Sequence, residues 1–238
     1  MKAYMNWSGG KDSALSLYRA QQQQVPVQAL VTTMSAAQDR ITMHGVRRKL
    51  LEQQAEATGL PLRTIELPEQ PGMEVYNQTM RHACEALKAD GFTHSVFGDI
   101  FLEDLRQYRE TQLAPTGIAP LFPIWKADSR ELLKEFFTLG FQAIVICING
   151  SHLAKSFCGR LLDESFINDL PSSVDPCGEN GEFHSFVFDG PIFQKPVAYT
   201  KGDLVYKEYP APISEKDECY RAPQPAAGFY FCDLLPAT

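Results

Sequence analysis

The stretch that most constrains this chain is its start. Ala3 to Trp7 reads as a short apolar strand, Ser8-Gly9-Gly10 turns it at once, and a helix begins near Asp12, with Ala14, Leu15, Leu17 and Tyr18 at helical spacing. A strand that runs through glycines straight into a helix opens a βαβ unit, and the alternation continues. Val27 to Thr33 predicts a second strand, Val46 to Thr58 a helix stopped by Gly59 and Pro61, and Leu62 to Leu67 a third strand. Val75 to Asp90 predicts a helix closed by Gly91, and Thr93 to Gly98 a fourth strand. After the charged segment Glu103 to Glu110, Pro120 to Trp125 predicts an edge-like fifth strand because of its two prolines. The expectation is an α/β fold with a five-stranded parallel sheet.

The pattern then changes. Ser129 to Leu139 predicts a helix, Ala143 to Ile148 a buried strand, and Ser151 to Leu170 a mostly helical segment broken at Gly159. From Pro171 onward the chain is rich in Gly, Pro and aromatic residues, with short strands expected over Glu182 to Phe188, Val197 to Thr200 and Phe229 to Leu234. A boundary near residue 126 therefore separates an α/β domain, 1–125, from a smaller α+β domain, 126–238. A length of 238 residues suits that division, at about 100–200 residues per domain.

Composition narrows the class of partner. Lys and Arg number 22 against 29 Asp and Glu, a formal charge of −7, so the surface as a whole does not attract nucleic acid. The longest apolar run, Ala143 to Ile148, falls far short of the ~20 residues of a membrane helix. Asn6, Ser8, Lys11 and Asp12 interrupt any leader-like stretch. Cys84, Cys147, Cys158, Cys177, Cys219 and Cys232 form no C-x-x-C pair. A cytoplasmic protein with reduced thiols is expected.

The chemistry concentrates at Ser8-Gly9-Gly10-Lys11-Asp12-Ser13. Glycines let backbone approach a ligand, and the free N–H groups of a helix start favour an anion. Ser8 and Ser13 add hydroxyls and Lys11 a point charge for phosphate. Asp12 would repel phosphate unless a divalent cation bridges them, which points to Mg²⁺. Met5 and Asp12 stand where a Walker A loop needs Gly and Ser or Thr, and the Rossmann G-x-G-x-x-G is absent. A tight turn capped by Asp12 would need only the glycines, whereas six positions fit a phosphate site.

This loop resembles the PP-loop of the N-type ATP pyrophosphatases, which cleave ATP between its α and β phosphates. Further motifs narrow the resemblance: His44-Gly45, Gly98-Asp99-Ile100 followed by Arg106 and Arg109, Pro123-Ile124-Trp125, and Gly178-Glu179-Asn180-Gly181-Glu182-Phe183-His184. Together they are similar to the diphthine–ammonia ligase family (diphthamide synthase domain), over roughly residues 2 to 193. The family implies a PP-loop sheet of five parallel strands, with a family-specific second domain over the acceptor site. In those ligases ATP adenylates a carboxylate on diphthine, a modified histidine of elongation factor 2, and ammonia displaces AMP to give the amide. Ser8 to Ser13 would then hold ATP with Asp12 near Mg²⁺, and His44, Gly45, Gly98 and Asp99 would complete the nucleotide site. Glu179 to Glu182 would line the acceptor or ammonia pocket. Diphthamide-making ligases tend to read G-E-G-G-E-Y-E-T, whereas Asn180 here replaces a Gly and His184 an acidic residue. That version resembles the bacterial branch and leaves the acceptor open, as a small molecule or a protein side chain.

Within this frame Lys11, Asp12, Glu182 and His184 are the catalytic candidates. Glu182 and His184, two apart, would share one face of a regular strand, and a histidine beside carboxylates could act as a base near neutral pH. Glu103, Arg106, Arg109, Glu179, Asn180 and Gly181 are candidates for substrate binding. Arg106 and Arg109, three apart on a helix face, could clamp leaving pyrophosphate or be part of a solvated charged face. Trp125 could wall the cleft, and Cys177, beside the Gly-Glu motif, is the thiol to watch as a nucleophile.

The expected function is an AMP-forming, ATP-dependent ligase that adenylates a carboxylate acceptor for attack by ammonia, without nucleic acid or membrane as partner. Two other readings remain: a PP-loop enzyme that modifies RNA, and a regulatory protein that binds ATP or AMP without turnover. A homodimer is one arrangement the sequence allows.

Overall fold

A computed structural model of the chain describes residues 1–42, 44–68, 72–209 and 227–237. The first half comprises β1 (Ala3–Asn6), α1 (Lys11–Gln22), β2 (Val27–Ser35), β3 (Arg40–Ile41), α2 (Arg48–Thr58), β4 (Leu62–Leu67), α3 (Met73–Ala89), β5 (His94–Val96), α4 (Glu103–Leu113) and β6 (Ala119–Leu121). The second comprises α5 (Ser129–Thr138), β7 (Gln142–Asn149), α6 (Glu164–Asp169), β8 (Phe183–Asp189), β9 (Tyr199–Tyr209) and β10 (Ala227–Pro236).

Five strands run parallel in the order β4-β2-β1-β5-β6, and the two-residue β3 pairs antiparallel with the end of β2. Strand alternation decides which face each residue enters. Ala3, Met5 and Trp7 pack into the larger apolar cluster, while Tyr4 faces a smaller one with Ala29, Val31 and Phe92. With both faces covered, β1 lies in the middle of the sheet, where parallel strands need burial. Strand order reverses between β1 and β5, and ligands of open α/β sheets bind beyond the strand ends at such a point. The Ser8–Ser13 loop leaves β1 there.

The second sheet is antiparallel, in the order β8-β7-β10-β9. Its β7, expected as a buried strand, has Ala143 to Ile148 all buried. One apolar cluster joins Met5 and Leu17 of the first sheet layer to Ile144 and Phe186 of the second. Asp128 caps α5 by accepting from the Arg130 and Glu131 amides at 2.9 and 3.1 Å.

Two sequence expectations are corrected. Residues 151–170 are not mostly helical: α6 spans only Glu164–Asp169, with a single 3₁₀ turn at Lys155–Phe157. The chain there is taken by β7 instead. The Gly159 and Leu162 amides donate to Val145 and Ala143, and the Val145 amide donates to Arg160. The strand expected over Val197 to Thr200 begins at Tyr199 and continues to Tyr209. Exposed side chains on both faces of β9 erase the alternation that would reveal its length.

Candidate active site

The phosphate loop is held from outside its own sequence. Gly9 has φ +77°, and a Cβ there would stand 2.5 Å from Gln54 Oε1, so glycine is required twice over. Gln54, fully buried on α2, accepts from the Trp7 indole at 3.1 Å and donates to the Gly9 and Val187 carbonyls at 3.0 and 2.6 Å. Val187 of β8 donates its amide back to Gly9 O at 2.9 Å. The Lys11 amide donates to Ser185 Oγ at 3.1 Å, and Ser8 Oγ accepts from the Gly10 amide at 3.2 Å. Ser13 Oγ donates to Gly10 O at 2.9 Å and lies 3.1 Å from Ser8 Oγ. The loop is thus fixed between α2 and β8 at the start of α1.

Lys11, nearly buried, ion-pairs with Asp12 at 2.7 Å. Burial works against the Lys11 charge, but Asp12, Cys177 and Glu179 outweigh it and hold its ammonium protonated. Burial pushes the Asp12 carboxyl above the usual range, Lys11 pulls it back, and nearby Asp175 pushes it up again. Gly98 packs on the backbone of Asp12 and Ser13: a Cβ there would lie 2.9 Å from the Asp12 carbonyl carbon. Asp99 follows, held by Arg109 through two bonds of 2.5 and 3.0 Å.

The loop carrying the Gly-Glu motif reaches this point from the second sheet. Asp175 Oδ2 accepts from the Cys177 and Glu179 amides at 3.0 and 3.1 Å. Glu182, almost fully buried, accepts from the Asp175 and Asn180 amides at 3.0 and 2.9 Å and from Asn180 Nδ2 at 3.2 Å. Gly178 and Gly181, at φ +69° and +83°, make the reversals that the two carboxylates staple. The loop presents Glu179, whose Oε1 accepts the Ile100 amide at 2.9 Å. Burial lifts the Glu179 carboxyl to about 7, with Asp12 and Asp99 adding to the rise and the Ile100 amide and Lys11 opposing it.

His184 leaves β8 toward His44, with ring centroids 4.5 Å apart and planes tilted by 39°. Burial lowers His44 to about 4 and His184 well below its ordinary value, with Lys11 adding to both shifts and His44 adding to that of His184. Both imidazoles are neutral at pH 7. The His44 ring borders Gly10, a Cβ on which would be 3.6 Å from Nε2, and Gly45 packs on Phe231. A cleft of about 450 Å³ opens beside the loop, lined by Ser8, Thr32, Thr33, Thr42, His44 and Arg109 among others.

The structure therefore gathers Ser8 to Ser13, His44, Gly45, Gly98, Asp99, Arg109, Glu179 and His184. It leaves Glu103 on the exposed surface with Lys126, and Arg106 against Glu110, over the Phe122 and Trp125 rings at 4.9 and 4.8 Å. Neither these two nor Trp125 lines the cleft. The Asn149 amide donates to Glu182 O at 2.8 Å, so the pairing with β7 reaches Glu182, whose carboxylate is engaged by its own loop while His184 lies against His44. Asn180 and Gly181 serve that loop. Burial pushes the Cys177 thiol far up, and its Sγ donates to Ser129 O, which suits an inert thiol. The sequence motifs do not single out Gln54 or Ser185. The only sequence signal was a glutamine within the buried row Leu50, Leu51, Gln54, Ala55. No described helix is long and apolar enough to cross a membrane.

Comparison with known proteins agrees with the motifs. The family model for the diphthamide synthase N-terminal domain matches residues 1–118, and that for the diphthamide synthase C-terminal domain matches residues 128–209. Similar proteins include diphthine–ammonia ligase from Danio rerio, 30% identical over 80% of this chain and 83% of the relative. The human diphthine–ammonia ligase is 26% identical over 83% of this chain and 82% of its own. Among solved structures, a chain described as a predicted subunit of tRNA methyltransferase from Methanocaldococcus jannaschii aligns with a TM-score of 0.42 and 19% identity, over 61% of this chain and 80% of that one. With both halves of its length matched, the chain belongs to the diphthamide synthase family and is an ATP-dependent ligase.

Proposed function

We propose that the ligase is AMP-forming: it adenylates a carboxylate and then joins the acyl group to ammonia. The observation that supports this reading is that the Lys11–Asp12 pair and Glu179 both border Gly98–Ile100, Gly98 packing on the Asp12 backbone and the Ile100 amide donating to Glu179. Ser8, Ser13, Lys11 and the amides of the helix start hold the β and γ phosphates, and the adenosine lies in the cleft beside Thr32, Thr33 and His44. Arg109, fixed on Asp99, borders the same cleft.

Among the described residues no group of three or more His, Cys, Asp or Glu side chains forms a metal site by itself. The hard oxygens of Asp12 together with those of ATP phosphates nevertheless fit Mg²⁺, which usually binds through one or two carboxylates plus phosphate. The crowding of Asp12 by Asp175 suits an added cation. When bound, Mg²⁺ would neutralise charge on the phosphates.

A carboxylate oxygen of the acceptor attacks the α-phosphorus, the bond from that phosphorus to the bridging oxygen breaks, and pyrophosphate leaves with the electron pair. Lys11 stabilises the charge that builds there. Ammonia then attacks the acyl carbon, the bond to AMP breaks, and Glu179 takes the proton from nitrogen. A carboxyl near 7 suits that role at neutral pH. Glu182 positions Glu179 by stapling its loop. The family relatives' name supports ammonia as the nitrogen source.

The test is turnover of ATP by the purified protein with Mg²⁺ and ammonium, resolving AMP from ADP, with and without cell extract. AMP that requires extract and disappears in Lys11→Ala supports the reading; ADP as the product would sink it.

A further inference from the structure

A second cleft, of about 350 Å³, is lined by Arg40 to Thr42 of the β3 turn and adjoins the cleft beside the phosphate loop. Ile41, Thr42 and His44 line both, so the two spaces share a wall. The other wall belongs to β9 and β10, through Lys207, Tyr209, Phe231 and Asp233. That wall is built rather than incidental. Asp233 accepts from Arg40 at 2.8 Å and from Arg47 at 2.6 and 3.2 Å, and Arg40 also donates to Gly45 O at 2.7 Å. Two guanidinium charges are thereby spent on structure. Lys207 is different: among the described residues it has no carboxylate partner, and its ammonium stands 5.7 Å from the Phe231 ring centre. A series of contacts then runs from Lys207 over Phe231 to Gly45, and from its neighbour His44 to Gly10 of the phosphate loop.

We propose that this second cleft seats the acceptor, and that the acceptor is a small molecule with a flat apolar body and an acidic group besides the carboxylate that reacts. Phe231 and Tyr209 cover the flat body and Lys207 pairs with the additional acidic group. The reacting carboxylate extends past His44 toward the phosphate loop. A volume of about 350 Å³ falls in the range of small-molecule sites, which combine apolar and aromatic surface, here Ile41, Tyr209 and Phe231, with a few placed polar and charged groups, here Arg40, Lys207 and Asp233. The inference rests on the ligase reading above and adds the acceptor's class and place.

The experiment uses the full chain with ATP, Mg²⁺ and ammonium. A cell extract is divided by ultrafiltration into a small-molecule filtrate and the retained macromolecules, and AMP is measured with each. The filtrate supports AMP formation, and passing it at pH 7 through an anion-exchange resin removes that support. At limiting filtrate Lys207→Glu lowers the rate at least tenfold and Lys207→Gln less, while calorimetric affinity for ATP stays within twofold of wild type. Lys134→Glu, an equal charge change at an exposed position of α5, leaves the rate unchanged. AMP supported only by the retained macromolecules, support that survives the resin, or a Lys207→Glu rate equal to wild type overturns the inference while leaving the ligase reading intact. No AMP with either fraction overturns the ligase reading and this inference with it.

Discussion

Glu179 accepts the Ile100 amide at 2.9 Å and so joins the Gly-Glu loop of the second sheet to the strand end that carries Gly98 and Asp99. Glu179→Gln keeps an oxygen for that amide and removes the ionisable group. ATP affinity is expected to hold while ammonium-dependent AMP release falls about 10²- to 10³-fold, the usual contribution of a general base. The wild-type rate should rise with pH through about 7 and the variant lose that limb. Stability moves the opposite way. A carboxyl raised to about 7 in the folded protein binds its proton more tightly there than in the unfolded chain. Its contribution is therefore lost as pH rises from its ordinary range through 7. Thermal unfolding from pH 5 to 8 should show the wild type declining more than Glu179→Gln, by a few kcal/mol at most.

Glu182 holds three donors of its own loop and reaches no part of the cleft. Glu182→Ala removes the acceptor of the partly buried Asp175 and Asn180 amides, at about 0.5–1.5 kcal/mol per bond, so melting temperature and activity should fall together. The residual activity should keep the wild-type pH profile. A variant with full stability and a displaced profile would mean that Glu182 takes part in proton transfer.

The strand, the glycine turn and the helix after it were legible because their signals are local: Gly9, Lys11 and Asp12 lie within one turn of each other. The parallel strands were legible for the same reason, each bounded by its own turn residues, except that the fifth, expected over Pro120 to Trp125, ends at Leu121 and the chain turns at Pro123 to Trp125. What was hidden depends on distance along the chain. Gln54 meets Val187 across 133 positions, and Ser185 meets Lys11 across 174, so no window of sequence contains either pair. Residues 160–162, beyond the break at Gly159, carry local signals compatible with helix, and hydrogen bonds to β7 decide otherwise. Which groups engage the Glu182 carboxylate is likewise set by the fold of its own loop, through the Asp175 and Asn180 amides.

Gly98 admits no side chain, since a Cβ would meet the Asp12 carbonyl carbon, its oxygen and the Ser13 nitrogen at 2.9–3.0 Å. Gly98→Ala must displace the start of α1. The expected outcome is a loss of about 1–3 kcal/mol in denaturant unfolding, as for overpacking elsewhere, and ATP affinity weakened more than tenfold by calorimetry.

Lys11→Ala should abolish ATP binding and also destabilise the protein, because it strands the Asp12 carboxylate in a largely enclosed site. With the Asp12 side chain 30% exposed, the expected cost is about 1–3 kcal/mol rather than that of a fully buried ion. Removing both partners in Lys11→Ala/Asp12→Ala should recover most of that loss without restoring nucleotide affinity. A double variant as unstable as the single one would mean that Lys11 stabilises by packing on Phe183, 5.3 Å from its ammonium, instead of by pairing.

Asp233 ties β10 to the β3 turn, and its pH dependence has a defined sign. Burial alone would raise its carboxyl, but hydrogen bonds from Arg47 and Arg40 hold it at about 2, below the ordinary 3.8. A depressed acid stabilises the folded state above its ordinary value, and that stability is lost as pH falls toward 2. Arg47 is 41% exposed, so solvent screening limits the effect to about 1–2 kcal/mol. Asp233→Asn should therefore melt below wild type at pH 7, and the two curves should converge as pH falls from 4 to 2. Because Asp233 also fixes the wall shared by Arg40 and Gly45, the variant should loosen the second cleft at neutral pH. Hydrogen exchange would register this as faster amide exchange at Ile41 and Gly45, whose amides donate to Val46 O and Ile41 O. Unchanged exchange there, with the melting difference present, would mean that the ion pairs stabilise the turn without holding its shape.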